Sequence, residues 1–347
     1  MKISFILPSF TRRPIGGYKM VFEYANRLSN HGYDVQIVFI NNDSGKQFKL
    51  FRKEILYLAT QFEPKWFKLN KNIKKISYCD KKFNQKISTD IAIATAVGTA
   101  YPTKKMCPQA RKVYFIQDFE NWNVSKEYVY STYKLGFKNI VIAKWLKKVV
   151  DRYSLQPSVY VRNPLNIMQY RVHNPIENRD KYTIGMLYHS APYKGSAETF
   201  NSLCKLKNRF PKLKIIMFGT CEPPKNLPTW VKYYKNASQR QTIDIYNKIS
   251  IFISGSIKEG FGLTGLEAMA CGAALVTTDY DGAKEYAING INALTVPVKD
   301  WKALREKVNY LIMNDNERKE LAKNGIKTAD KFSWQKAYKK FVNTILD

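Results

Sequence analysis

The sequence predicts an α/β protein of two doubly wound domains, each a parallel sheet with helices on its faces, and three observations lead there. The first forty residues run buried strand, glycine turn, helix, strand, which is a βαβ unit. The same alternation starts afresh after a polar stretch at 166–181. A chain of 347 residues is long enough for two ordinary domains with a core in each.

"KISFILP" (2–8) is a continuous apolar strand and "TRRPIGG" (11–17) a loop. In 18–32, Met20, Val21, Tyr24, Ala25 and Leu28 fall at helical spacing, Gly32 is a stop, and "DVQIVFI" (34–40) is the next strand. Strands follow at 90–95, 112–118, 139–144 and 158–164, with a helix at 145–153. "NIMQYRVHNPIENRDK" (166–181) reads as the connector. Beyond it come strands at 182–188, 214–220, 249–256, 273–279 and 292–298. Helices separate them at about 195–210, 239–248, 263–271 and 283–288, and the tail is helical by period. The expected domains are 1–165 with the closing helix 331–347, and 166–330, with a cleft between them.

Hydrophobic residues at 45% and aromatics at 14% exclude a disordered chain. No run reaches the roughly eighteen apolar residues of a membrane-spanning helix. The N-terminus opens as a strand rather than as a leader peptide, so the expectation is a cytoplasmic protein that does not span the membrane. Five cysteines without a C-x-x-C pair and three scattered histidines point to neither a disulfide framework nor a metal centre.

The formal net charge is +29, and residues 1–165 hold 29 basic against 11 acidic side chains. A field of that sign attracts anionic membrane, phosphorylated substrates or nucleic acid, and a lysine-rich solvated surface is the plain alternative. For nucleic acid, no recognition helix or RNA-binding aromatic signature is visible. "FEPKWFKLNKNIKK" (62–75) interleaves Phe62, Trp66, Phe67 and Leu69 with Lys65, Lys68, Lys71, Lys74 and Lys75. That mixture suits the interface of an anionic bilayer, and equally a solvated basic helix over a sheet edge.

The stretch that carries chemistry is "ISIFISGSIKEGFGLTGLEAMACGAALVTTD" (249–279). A strand ends near Ser256, and a helix begins after Gly260 and Gly262. Glycines before a helix N-terminus let backbone N–H groups approach a phosphate or diphosphate. Glu259 and Glu267 bracket that seat as acceptors for hydroxyls, which makes a nucleotide-sugar site; a capped helix with a solvated Glu267 is the alternative.

The wider pattern resembles the retaining GT-B glycosyltransferases of the family 4 type, whose mark is two glutamates with seven residues between them, met by Glu259 and Glu267. "TDYDGAKEYAINGINALTVPVKD" (278–300), "YKGSAETF" (193–200), "VRNPLN" (161–166), "IGG" (15–17) and "FSWQKAYKKF" (332–341) are similar to further segments of that family. The likeness covers most of the chain, weakly in 41–110.

By that resemblance, Glu267 would bind the ribose hydroxyls of the nucleotide and Glu259 the transferred sugar. Backbone groups of Gly260, Phe261, Gly262, Leu263 and Thr264 would hold the diphosphate, and Lys194 would neutralise it. Gly16 and Gly17 would let the first loop close over the same group. Asp118, in "FIQDFE" (115–120), where many members have histidine, would orient sugar or acceptor, or is structural. The family needs no metal or other cofactor; the donor would be a UDP-, GDP- or dTDP-sugar. The expected acceptor is a saccharide or lipid-linked saccharide at the inner membrane face, in cell-surface polysaccharide assembly.

One departure is "GML" (185–187), with Met186 where the family has arginine; Arg12, Arg13 or Lys258 could replace that cation. It leaves open a non-catalytic partner subunit. "DYD" (279–281) resembles the D-x-D metal motif of a different glycosyltransferase fold, but lies in a loop the GT-B pattern already explains.

Overall fold

The structure is a computed structural model that describes residues 1–41, 49–80 and 82–347, with backbone alone at 49–53. The chain divides into two compact units, residues 1–162 with 338–347, and residues 163–337.

The first unit is built on a parallel sheet of β1 (Lys2–Leu7), β2 (Asp34–Ile40), β3 (Lys74–Tyr78), β4 (Ile91–Ala94), β5 (Arg111–Ile116), β6 (Lys138–Val141) and β7 (Val159–Tyr160). The strand order is β3-β2-β1-β4-β5-β6-β7. Its helices are α1 (Gly16–Asn30), α2 (Lys49–Phe62), α3 (Val97–Met106), α4 (Lys126–Tyr133) and α5 (Lys144–Tyr153). Inner strands β1 and β4 are apolar almost throughout because helices cover both faces of a parallel sheet; Ile3, Phe5, Ile6, Ile93 and Ala94 are fully buried.

The second unit repeats the plan with β8 (Thr183–Leu187), β9 (Lys214–Gly219), β10 (Val231–Lys235), β11 (Ile251–Ser254), β12 (Ala274–Thr278) and β13 (Ala293–Val296). The order is β10-β9-β8-β11-β12-β13, again parallel. Its helices are α6 (Ser196–Cys204), α7 (Gln239–Lys248), α8 (Leu263–Ala270), α9 (Trp301–Met313) and α10 (Asp315–Ala329). Ser238 and Gln241 form a reciprocal capping box at α7, and the Asp300 carboxylate accepts the Ala303 N–H at α9. In each sheet the order reverses once, at β1/β4 and at β8/β11, and such a reversal opens a crevice at the carboxyl ends of the strands.

A last helix, α11 (Trp334–Leu346), starts in the second unit, and from Tyr338 onward it belongs to the first. There Phe341 is fully buried, stacked on Tyr24 at 4.1 Å and edge-on to Phe115 at 5.5 Å. The Arg111 guanidinium donates to the carbonyls of Ile345 and Leu346 at its C-terminal end.

Several expectations are corrected. The helix read at 283–288 is a single 3₁₀ turn, Ala283–Glu285, and the one read at 195–210 ends at Cys204. α1 starts at Gly16, so Gly16 and Gly17 are its first residues rather than part of the loop. The connector 166–181 is fastened into the second unit. Arg179, 6% exposed, donates to the carbonyls of Asn174, Tyr246, Ile249 and Cys271. Residues 63–73 form no helix: α2 ends at Phe62, and the chain turns into edge strand β3. Trp66 and Phe67 are turned inward on Phe22, with centroids at 5.6 and 5.4 Å, and Trp66 Nε1 donates to Thr11 O at 3.0 Å. Lys75 is likewise engaged, its ammonium donating to the carbonyls of Gln61 and Glu63.

Candidate functional site

The cavity at the β8/β11 reversal is lined by Met186 and Leu187 of β8, Ser254, Gly255 and Ser256 at the end of β11, and Lys194, Glu259 and Thr264. Close backbone packing builds it. Gly195 has φ +54°, and a Cβ there would lie 2.2 Å from Gly255 O. Only glycine allows the start of α6 to come this near the loop after β11, and the approach sets Lys194 beside Glu259.

Lys194 Nζ lies 2.9 Å from Glu259 Oε2, and Ser256 Oγ donates to Glu259 Oε1 at 2.5 Å. Thr278 Oγ1 in turn donates to the Ser256 carbonyl, tying the group to β12. His189, one of the three scattered histidines, stands near enough to the pair to feel both charges. Burial first, and then the Lys194 charge, push its pKa below the usual histidine value, while Glu259 opposes them. Its Nδ1 accepts the Ala191 N–H at 2.9 Å.

Gly262 is the N-cap of α8; its φ is +84°, and a Cβ there would lie 2.0 Å from Tyr280 Oη. The N–H groups of Leu263 and Thr264 in its first turn have no partner within the helix and form the positive end of its dipole. Tyr286 Oη donates to Gly262 O at 2.7 Å and lies 3.1 Å from Tyr280 Oη, so two buried tyrosines brace the loop. Phe261 is 3% exposed and packs on Tyr286 and Phe332, so it offers the site its backbone and not its ring. Gly260 is buried beside it.

Glu267 is 6% exposed and accepts the Tyr246 hydroxyl at 3.1 Å, which rules out the solvated surface carboxylate left open by the sequence. Burial, followed by the Glu267 charge, holds the Tyr246 phenol far above its ordinary pKa, so it stays a donor. Met186 is 1% exposed and belongs to the apolar core where the family pattern has a cation. Among the described residues, no group of three His, Cys, Asp or Glu side chains could hold a metal ion, and Asp281 pairs with Lys284 at 3.0 Å.

Gly16, Gly17 and Asp118 lie in the first unit. Gln117, just after β5, donates from Nε2 to Gly17 O at 3.2 Å, joining the loop after β5 to the first turn of α1. Asp118 Oδ1 accepts the Phe119 N–H at 2.8 Å. Glu120 Oε2 accepts the Val97 N–H at 2.7 Å, at the start of α3. Burial pushes the Glu120 carboxyl up to about 7, against the Val97 hydrogen bond and helped by Asp118.

Sequence reasoning passed over Ser256, His189, Tyr246, Tyr280 and Tyr286. Ser256 was legible as the first residue of S-x-x-E; the tyrosines reach the site only through the fold.

Residues 172–328 match the family described as Glycosyl transferases group 1. A capsular polysaccharide biosynthesis glycosyltransferase CapM from Staphylococcus aureus is 28% identical over 45% of this chain and 43% of its own length. An N,N'-diacetylbacillosaminyl-diphospho-undecaprenol alpha-1,3-N-acetylgalactosaminyltransferase from Campylobacter jejuni is 31% identical over 44% of this chain and 41% of its own length. The chain thus spans less than half of these curated relatives in the matched segments. Anabaena HepE, solved with UDP and glucose, shares the fold across both units, with TM-score 0.77 and 14% identity over 100% of this chain and 99% of that one.

Proposed function

We propose, from the premise that residues 172–328 are a glycosyl transferases group 1 domain in a GT-B chain, that the protein moves a sugar from a nucleoside diphosphate sugar to an acceptor with retention. The observation that carries the reading is Lys194, Glu259 and Ser256 meeting at the β8/β11 reversal, beside the N-terminus of α8. The ammonium and the Leu263 and Thr264 N–H groups suit a diphosphate. Glu259 accepts from the sugar hydroxyls and Glu267 from the ribose.

As the bond from the anomeric carbon to the diphosphate breaks, negative charge grows on the phosphate and positive charge on the ring. Fixed donors stabilise the former. The acceptor oxygen bonds to the same face, and its proton passes to the departing phosphate oxygen, so no side chain has to serve as base. Lys194 and the helix end meet the phosphate charge, and the reading requires no metal. The relatives' names and the basic first half support a lipid-linked saccharide acceptor at the inner membrane face, in cell-surface polysaccharide assembly.

A second reading, a non-catalytic partner subunit, is favoured by the apolar Met186 in the cavity wall. Thermal-shift titration with UDP, GDP, dTDP and their sugars, followed by transfer to lipid-linked saccharides, separates the two. Stabilisation by one diphosphate together with transfer supports the enzyme. Stabilisation without transfer supports the subunit, and no response to any nucleotide overturns both.

A further inference from the structure

Among the described residues, α2 carries an exposed apolar stripe. Its inner face is settled by contacts: Thr60 is fully buried against Asn41, and Gln61 Nε2 donates to Lys75 O at 3.0 Å. Ile55, Leu58 and Phe62 are 61%, 55% and 71% exposed and Tyr57 is 55% exposed, with Tyr57 and Leu58 also lining an open cavity with Ser77, Cys79 and Asp80. Ile55, Leu58 and Phe62 recur at three- and four-residue spacing, so they share one line along the helix. Three large exposed apolar side chains on one line are unlike the single ones found on most soluble surfaces.

The charge that follows the stripe along the chain selects its occupant. Lys65, Lys68, Lys71 and Lys74, in the segment that leaves Phe62, are all exposed. Nearby acids are largely engaged. Glu63 is 7% exposed and pairs with Arg12, and Asp80 accepts the N–H groups of Lys82, Asn84 and Gln85. Glu54 stays exposed on α2. A second copy of the chain would bring like charge onto like charge. A soluble polyanion would satisfy the lysines and leave the isoleucine, leucine and phenylalanine in water. An anionic bilayer meets both demands, taking apolar side chains at the acyl boundary and lysines on its phosphates.

We infer that α2 is the membrane-docking face of this protein, with Ile55, Leu58 and Phe62 entering the interface of an anionic leaflet and the lysines of 65–74 resting on its headgroups. This deepens the lipid-surface part of the proposed function and rests on it, with α2 replacing the Trp66/Phe67 face. It also gives the lipid-linked acceptor a reason to be met by the first unit.

The test is co-sedimentation of the full chain with vesicles of phosphatidylcholine alone and of phosphatidylcholine with phosphatidylglycerol. Wild type, the triple variant Ile55→Gln/Leu58→Gln/Phe62→Gln and the variant Lys65→Gln/Lys68→Gln are compared. Wild type is expected to bind only the anionic vesicles. The triple variant should bind at least about tenfold less, and the lysine variant should lose affinity with a flatter salt dependence. Circular dichroism melts, expected unchanged because the altered residues are exposed, confirm that each variant folds. Absence of wild-type binding, or binding that survives the triple variant, overturns the inference. So does a wild-type dimer that the triple variant turns into monomer. Nucleotide thermal shifts on the same samples keep failure of the membrane face distinct from failure of the transferase reading.

Discussion

Lys194 Nζ stands 2.9 Å from Glu259 Oε2, in a pair whose side chains are 19% and 12% exposed. Near burial, such a pair is positioned by the groups around it, and Ser256 holds the second carboxylate oxygen. Each partner fixes the other's place in the cavity.

Glu259→Gln and Lys194→Met should each lower turnover by at least about 100-fold, the scale of losing one electrostatic stabiliser of a transition state. The double variant should be little worse than either single one, because groups that act together are not additive. Initial-rate measurements with saturating donor check this. Additive losses would mean the two residues work separately.

Glu267→Ala should weaken nucleoside diphosphate binding by roughly 1–3 kcal/mol, the range for charge-assisted hydrogen bonds. Tyr246→Phe removes one donor to the same carboxylate and should weaken binding less, by about 1 kcal/mol. Calorimetric titration reads both, and equal affinities across all three proteins would remove Glu267 from the nucleotide site.

Gly262→Ala should lower thermal stability and nucleotide affinity together. Its φ of +84° disfavours a side chain, and the new Cβ would meet Tyr280 Oη at 2.0 Å. Adding Tyr280→Phe should restore part of the stability by removing that oxygen while the backbone strain stays. A Tm for Gly262→Ala equal to that of wild type would show that the loop has room the structure denies it.

Glu120 sets a pH dependence. Burial raises its pKa in the folded chain to about 7, from 4.5. The unfolded chain therefore releases this proton at lower pH than the folded one. The carboxyl favours folding fully below about 4.5, and that advantage is lost as pH rises through about 7. Glu120→Gln, which can still accept the Val97 N–H, should gain on the order of 1 kcal/mol over wild type at pH 8 and little at pH 4. Urea melts at the two pH values compare them, and a constant difference would assign the effect to something other than titration.

How much of this was legible in the residues depended on where each element sits. Central strands such as β1, β8, β11 and β12 are apolar on both faces and announced themselves, as did the glycine–glutamate run at 259–267. Edge strands β3 ("KKISY") and β10 ("VKYYK") were passed over because a sheet edge carries exposed lysines and loses the apolar run. α4 ("KEYVYSTY") is rich in β-formers, and α3 holds Pro102 in its interior, so neither looked helical. The stretch 62–75 misled for a related reason: composition showed aromatics among lysines, but not that Trp66 and Phe67 turn inward while the exposed rings and aliphatics belong to α2. At the candidate site, Glu259 and Glu267 stood out in the glycine–glutamate run. The bracing tyrosines did not, because Tyr246, Tyr280 and Tyr286 come from elements brought near only by the sheet order.

The stacking of Phe341 on Tyr24 and its contact with Phe115 have a consequence in time. A ribosome makes β1 to β7 first, then the whole second unit, and only afterwards the helix that closes the first core. Until Phe341 emerges, the faces of Tyr24 and Phe115 that it covers are bare. The nascent first unit must wait, partly open, through the synthesis of its neighbour, and a fragment ending at residue 162 would carry that wound permanently.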